Sequence, residues 1–184
     1  MSEVGAGMLL VAGPGLLDPH FADTVVLLLD ADAEGAVGVV LNRPTPVSVE
    51  QVLEGWDRLV VEPDVLFQGG PVSADGAIAL ALLGPGEPPA GFRAVVDRLG
   101  LVDLGTPVEQ VADALLGVRV FAGYAGWGAG QLEGEIAGGD WLVVPGTADD
   151  VFRDDVTDLR RDVVRRQPGE LAWHATRPAD PELN

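Results

Sequence analysis

The 184 residues contain no cysteine and no lysine, and histidine is confined to His20 and His174. Without thiols the chain forms neither disulfides nor thiolate metal sites, and it offers no cysteine nucleophile. Two isolated histidines, with no H-E-x-x-H spacing and no histidine–carboxylate cluster, argue against a transition-metal centre, so neither metal nor cofactor is expected. The missing lysine rules out a P-loop. No uninterrupted apolar run approaches the roughly eighteen residues of a membrane span. The first basic residue is Arg43, and Glu3 stands where a signal peptide carries positive charge. The expected location is therefore cytoplasmic.

What the chain does contain is apolar material and negative charge. At 19.1 kDa and 47% hydrophobic residues it is long enough for one domain with a sizeable core, despite a net charge of −18. All eleven cations are arginines. Residues 1–152 hold 5 of them against 22 acids, and residues 153–184 hold 6 against 7. A surface this acidic repels the phosphates of a duplex, so direct nucleic-acid binding is not expected.

The runs "MLLVAG" (8–13), "TVVLLLD" (24–30) and "GAVGVVLN" (35–42) read as strands, the last apolar at nearly every position as in a strand covered on both faces. Ser48 and Gln51 have capping-box spacing ahead of a short helix carrying Val49, Val52 and Leu53. "VLFQGG" (65–70) and "GAIALALL" (76–83), with only "PVSAD" between them, predict an antiparallel hairpin. Residues 92–103 are read as strand. Thr106, Pro107 and Glu109 predict a helix whose face is Val108, Val111, Ala112 and Leu115, closed by Gly117. "VRVFAG" (118–123) and "WLVVPG" (141–146) are further strands. Thr147 begins a helical turn, and Val156, Leu159 and Val163 make a stripe on a late helix. Residues 6–167 form one domain and 168–184 a tail, whose Leu171 and Trp173 either dock back or meet a neighbouring subunit. The expected class is α/β of the α+β kind, a single compact domain with a mixed, largely antiparallel sheet flanked by short helices.

Four blocks, "LVAGPGLLDPHFADTVVLLL" (10–29), "GAVGVVLNRPTP" (35–46), "FQGGPVS" (67–73) and "FAGYAGWGAGQLEGEIAGGDWLVV" (121–144), together resemble the YqgE/AlgH family of bacterial proteins. The matching positions include Asp18, Pro19, Phe21, Asn42, Arg43, Gly69, Gly70, Pro71, Tyr124, Trp127, Gln131, Glu133, Glu135 and Trp141. The resemblance implies a compact mixed α/β fold in the cytoplasm, no established enzyme activity, and a label of transcriptional regulator that some members carry. Members commonly have a tryptophan-containing stretch in the late helix, where this chain has "DLRRDVV".

The glycine-rich block misses G-x-G-x-x-G, because position 131 is Gln. Its backbone N–H groups near Gly126–Gly130 could cradle an anion, or its glycines could serve close packing of Trp127. On a helix Glu133 and Glu135 face apart, which disfavours an acid–base pair. Arg43, at the end of an apolar strand, either pairs with an acid such as Glu133 or Glu135 and satisfies loop carbonyls, or recognises an anionic or peptide group beside Tyr124 and Trp127. In the arginine run, Arg161 can meet Asp158 and Arg166 can meet Asp162. Ser48 and Ser73 lie in no nucleophile elbow, and no catalytic residue is assigned. The expected ligand- or partner-binding set is Asn42, Arg43, Gly69, Gly70, Tyr124, Trp127, Gln131, Glu133 and Glu135. Three readings follow: a non-catalytic binding module for a small molecule or protein partner, a transcriptional regulator, and an enzyme with an unfamiliar Arg/Glu site. A homo-oligomer is compatible with each.

Overall fold

In the computed structural model, which describes residues 4–168, the three opening apolar runs become antiparallel strands β1 (Met8–Ala12), β2 (Val25–Asp32) and β3 (Gly35–Val40). Successive strand side chains point to opposite faces. Leu9, Val11, Val25, Leu27, Leu29 and Val39 therefore enter one apolar cluster, while Leu10, Ala12, Val26, Leu28 and Val40 enter another. Burial on both faces is why these segments are continuously apolar rather than alternating.

The chain continues through β4 (Pro44–Ser48), the short helix α1 (Val49–Val52), a 3-10 turn at Trp56–Arg58, β5 (Val65–Gln68), β6 (Val72–Leu83), β7 (Phe92–Val96) and β8 (Leu99–Val102). After a second 3-10 turn at Val108–Gln110 come the long β9 (Leu115–Gly128), α2 (Gln131–Ala137), β10 (Trp141–Pro145), α3 (Ala148–Phe152) and α4 (Leu159–Arg165). The main sheet runs β10-β1-β2-β3-β9-β6-β8-β7, with β4 on β5 and β5 on β9. Every named pairing is antiparallel except β5 with β9. The fold is thus a mixed, largely antiparallel sheet with short helices, of α+β class.

The fourteen residues of β9 join the two halves of this sheet. One edge pairs with β6 from Leu115 to Tyr124, and the other pairs first with β5 at Phe121–Ala122 and then with β3 from Ala125 to Gly128. The expected 65–83 hairpin is accordingly not formed, because β9 lies between β5 and β6. The Gly69–Pro71 link crosses the β9 backbone instead of reversing beside its own strand. Of the expected Tyr124–Glu135 loop, residues 124–128 are instead the end of β9, and a helix takes over at Gln131.

The helix expected at 106–117 is reduced to the 3-10 turn, with Pro107 rather than Thr106 at its N-cap. Leu115 pairs with Leu83, and Ala114 O accepts from Gly84 N at 2.8 Å, so the sheet takes the second half of that segment. A favourable helix start is worth only about 1 kcal/mol, less than the strand pairing and burial it competes with. At α1, Ser48 holds the N-cap position without a side-chain capping bond. The reciprocal box forms instead at α3, between Thr147 and Asp150.

Val151 of α3 and Leu159, Val163 and Val164 of α4, with Val156 before it, join the apolar cluster that also holds Leu9, Leu27, Phe67, Leu80 and Phe121. The opposite face is covered over one half by α2 through Leu132 and over the other by Val49 and Trp56. Of the expected tail at 168–184, residues 169–184, with Leu171, Trp173 and His174, lie outside the described residues.

Candidate functional site

The link between β1 and β2, residues 13–24, is the loop on which the motif residues converge. It is held by apolar wedges: Leu16 and Phe21 pack against the cluster of Trp127, Trp141 and Leu132. Phe21 lies 6.2 Å from Trp127 and 5.7 Å from Trp141 between ring centres, and the two tryptophans meet edge to face at 6.0 Å. Polar ties complete the bracing. Asn42 accepts from Val25 N at 3.1 Å and donates to Asp23 O at 3.0 Å. Arg43 donates to His20 O at 2.6 Å and Ala22 O at 3.1 Å. On α4, Arg160 Nε donates to Ala12 O at 2.9 Å, and burial lowers its pKa while Asp23 opposes the shift.

Glu135 is partnered by two indoles and an amide, not by Arg43. Its Oε1 accepts from the indole N–H of both Trp127, at 3.1 Å, and Trp141, at 3.0 Å, and its Oε2 accepts from Gln131 Nε2 at 3.0 Å. Gln131 Oε1 in turn accepts from Gly128 N at 3.0 Å, which commits one of the backbone donors an anion nest would use. Glu133, two residues away on α2, faces solvent. Replacing Glu135 with Ala leaves two largely buried indole donors without an acceptor, and the expected loss is about 2–3 kcal/mol. Glu133→Ala is expected to stay within about 0.5 kcal/mol. Urea unfolding followed by tryptophan fluorescence measures both; equal effects would remove Glu135 from this structural role.

Gly69 and Gly70 make the crossing over β9. A Cβ on Gly70 would fall on the carbonyl group of Tyr124, and one on Gly123 would fall on the Gly70 carbonyl oxygen. The two glycine-containing motifs are therefore complementary halves of one backbone-on-backbone contact. Beside it, His20, Arg43, Gln68, Gly70 and Pro71 line a notch too tight for a water molecule. Asn42–Arg43 and the Gly69–Val72 link thus come together, and Tyr124 pairs with Val72. Trp127 does not join them. It stands an odd number of residues from Tyr124 on the same strand, packs into the cluster on the other face, and is only 6% exposed.

Three of the C-terminal arginines, Arg153, Arg161 and Arg166, are engaged with acids. Arg161 meets Asp158 at 2.9 Å as its spacing predicts, but Arg166 meets Asp150 rather than Asp162, with a 2.7 Å bond from one terminal nitrogen. Asp162 is taken by Arg153 at 2.9 Å. Its hydrogen bonds to Asp150 raise the pKa of Arg166. Among the described residues no group of three or more His, Asp or Glu side chains is arranged to hold a metal ion, and no helix is long and apolar enough to cross a membrane.

A residue outside the expected binding set is Arg119, in the middle of β9. It is fully buried, donates to Val151 O and Arg153 O at 2.8 Å and to Glu62 O at 2.7 Å, and lies 4.4 Å from the centre of the Phe67 ring. Burial lowers its pKa to about 10, partly offset by Asp154. A single arginine between valines in an apolar strand, "GVRVF", was the available signal. His20, Leu17, Gln68 and Pro71, which surround the notch or its loop, were also absent from the expected binding set.

Fold and site define a class: a one-sheet α+β protein in which separated motif blocks brace a single long loop. The chain belongs to the AlgH-like family, whose model matches residues 9–172. It is similar to a UPF0301 protein of Streptomyces avermitilis, 54% identical over 190 residues that span all of this chain and 98% of the relative. It is also similar to the crystal structure of protein DIP2367 from Corynebacterium diphtheriae, with a TM-score of 0.90, 33% identity, and 96% and 94% of the two chains covered. The solution structure of the AlgH protein from Pseudomonas aeruginosa aligns with a TM-score of 0.68 at 28% identity, covering 97% of each chain.

Proposed function

We propose that this protein is a non-catalytic binding module for a protein partner, contacted through the 13–24 loop and the adjacent Gly69–Val72 link. The observation that carries the reading is Leu17, which is 76% exposed on a loop otherwise tied down by Leu16, Phe21, Asn42, Arg43 and Arg160. A large apolar side chain held out on a stiff mount loses little conformational freedom on association, which is how binding hot spots gain affinity. Gln68 and Pro71, both exposed, line the notch together with His20 of the same loop, and Val72, 37% exposed, follows them in the chain. The neighbouring notch has no room for a small molecule, so contact is made over the surface rather than by enclosure.

In this reading Asn42, Arg43, Gln131 and Glu135 position the contact loop and do not themselves touch the partner. Arg43 recognises a turn of its own chain through the backbone carbonyls of His20 and Ala22. The test is native mass spectrometry of the full chain isolated from its host. Leu17→Asp should reduce the recovered protein complex about tenfold or more, with an unchanged urea midpoint. A complex that survives both Leu17→Asp and Val72→Asp, or the absence of any complex with the wild-type chain, would overturn the proposal.

A further inference from the structure

Between the β7–β8 turn and the segment that joins β10 to α3 lies a cleft of about 160 Å3, lined by the apolar side chains of Leu27, Leu82, Val96 and Leu99 and by Gly146–Ala148. An apolar cavity of about 150 Å3 holds a group the size of benzene, so this one has room for a branched aliphatic side chain. The charged residues on its lining are Asp97 and Arg98. They are consecutive, opposite in sign and exposed, so they stand where the cleft opens to solvent.

The hairpin itself requires neither charge. Val96 pairs with Leu99, which leaves Asp97 and Arg98 as a two-residue turn, and Asp97 has φ +52°, in the left-handed region that favours glycine. Aspartate is at home in a turn when its carboxylate accepts from the backbone N–H two residues on. Asp18, Asp32 and Asp103 do so, each at 2.8 Å. Asp97 makes no such bond among the described residues, so its carboxylate is open to another partner. Arg98 is fixed by neutral acceptors: Nε donates to Leu83 O at 3.3 Å, and Nη2 donates to Gly86 O at 3.0 Å and to Gly84 O. These carbonyls orient the guanidinium without neutralising it. Among the described residues neither Asp97 nor Arg98 forms an ion pair, and Nη1 of Arg98 makes no hydrogen bond. An apolar lining with one open carboxylate and one oriented guanidinium matches a molecule that carries an aliphatic side chain, an ammonium and a carboxylate. We propose that this cleft binds a free aliphatic α-amino acid of the leucine type, with its side chain against Leu27, Val96 and Leu99, its ammonium at Asp97 and its carboxylate at Arg98. The opposite charges at the opening disfavour a ligand of a single sign, and burying the aliphatic group covers apolar surface that the core leaves open. The site is independent of the 13–24 loop, so the two readings stand or fall separately.

Isothermal titration calorimetry of the full chain with L-leucine should show one saturable site with a dissociation constant of about 1 mM or tighter. Isovalerate, which lacks the ammonium, and isopentylamine, which lacks the carboxylate, should each bind at least about tenfold more weakly, since each leaves one charge at the opening without its partner. Asp97→Asn, an exposed and nearly isosteric change, should keep the urea midpoint of the wild type and weaken leucine about tenfold without weakening isovalerate. Ala148→Phe fills the cleft from its wall and should abolish leucine binding. The absence of saturable binding by leucine would overturn the proposal. So would isovalerate or isopentylamine binding as tightly as leucine, which would make the ligand a simple acid or amine. Leucine binding left unchanged by Asp97→Asn or by Ala148→Phe would put the amino acid elsewhere on the protein and would equally overturn it.

Discussion

Gly123→Ala should cost more than about 4 kcal/mol, enough to leave most of the chain unfolded or insoluble, while Gly130→Ala should cost only about 1–2 kcal/mol. The two glycines have nearly the same backbone conformation, φ +75° and +77°, so the strain of placing an L-residue there is common to both. What differs is the surroundings. A Cβ on Gly123 would overlap the Gly70 carbonyl oxygen and come within 3.1 Å of Val72 O and Ala74 Cα, whereas a Cβ on Gly130 meets nothing within 4 Å. The nearest of these, the Gly70 carbonyl, belongs to the crossing link, which cannot move without breaking the pairing of Gly69 N with Ala122 O and of Val40 N with Gly69 O, both 2.8 Å. Urea or thermal unfolding by circular dichroism gives the comparison. If the two variants lose the same stability, the crossing is not the reason for glycine at 123.

Arg119→Met should lose about 3 kcal/mol, the sum of roughly 1 kcal/mol for each of three carbonyls left without a donor. Methionine is similar in length and apolar, so this variant separates the polar tie from the volume of the side chain. The opposing effect is relief of the cost of burying a cation, which can make such replacements neutral. Here the lost bonds should win, because the guanidinium links Val151 and Arg153 to Glu62, and all three carbonyls must then find new partners inside the fold. Arg119→Lys should also be destabilising, since one ammonium cannot span the three acceptors. With a folded pKa of about 10, Arg119 is charged in both folded and unfolded chains near neutrality. The stability difference between wild type and Arg119→Met should therefore be flat from about pH 6 to 8. Only as pH rises through the folded value does the native state release the proton before the unfolded chain does, and the wild-type contribution then rises. A neutral or stabilising Arg119→Met would show that desolvation outweighs the three bonds.

The candidate site shows how far residue patterns reach. Asn42, Arg43, Trp127, Gln131 and Glu135 are candidates because polar and aromatic side chains among glycines suggest recognition. In the structure they recognise parts of their own chain: the carbonyls at His20, Ala22 and Asp23, the N–H of Gly128, and the two indoles. The same chemistry serves a ligand or a loop, and residue type does not distinguish them. Leu17 escaped notice for the converse reason. In "GLLDPHF" it looks like its neighbour Leu16, and only the path of the loop sends one leucine inward and the other to solvent.

The sequence by itself determined the family, the α+β class, the strands at 8–12, 25–32, 35–40 and 141–145, and the inward stripe of α4, because each depends on a local period of apolar residues or on a specific run of motif residues. Tertiary structure alone decided that β9 stands between β5 and β6, that the segment after Thr106 yields to strand pairing, and that Arg119 is enclosed by three carbonyls. An alternating pattern says that a segment is a strand but carries no label for the strand beside it. Neighbours are chosen by the simultaneous burial of both faces and by where backbones can cross, and those are properties of the whole chain.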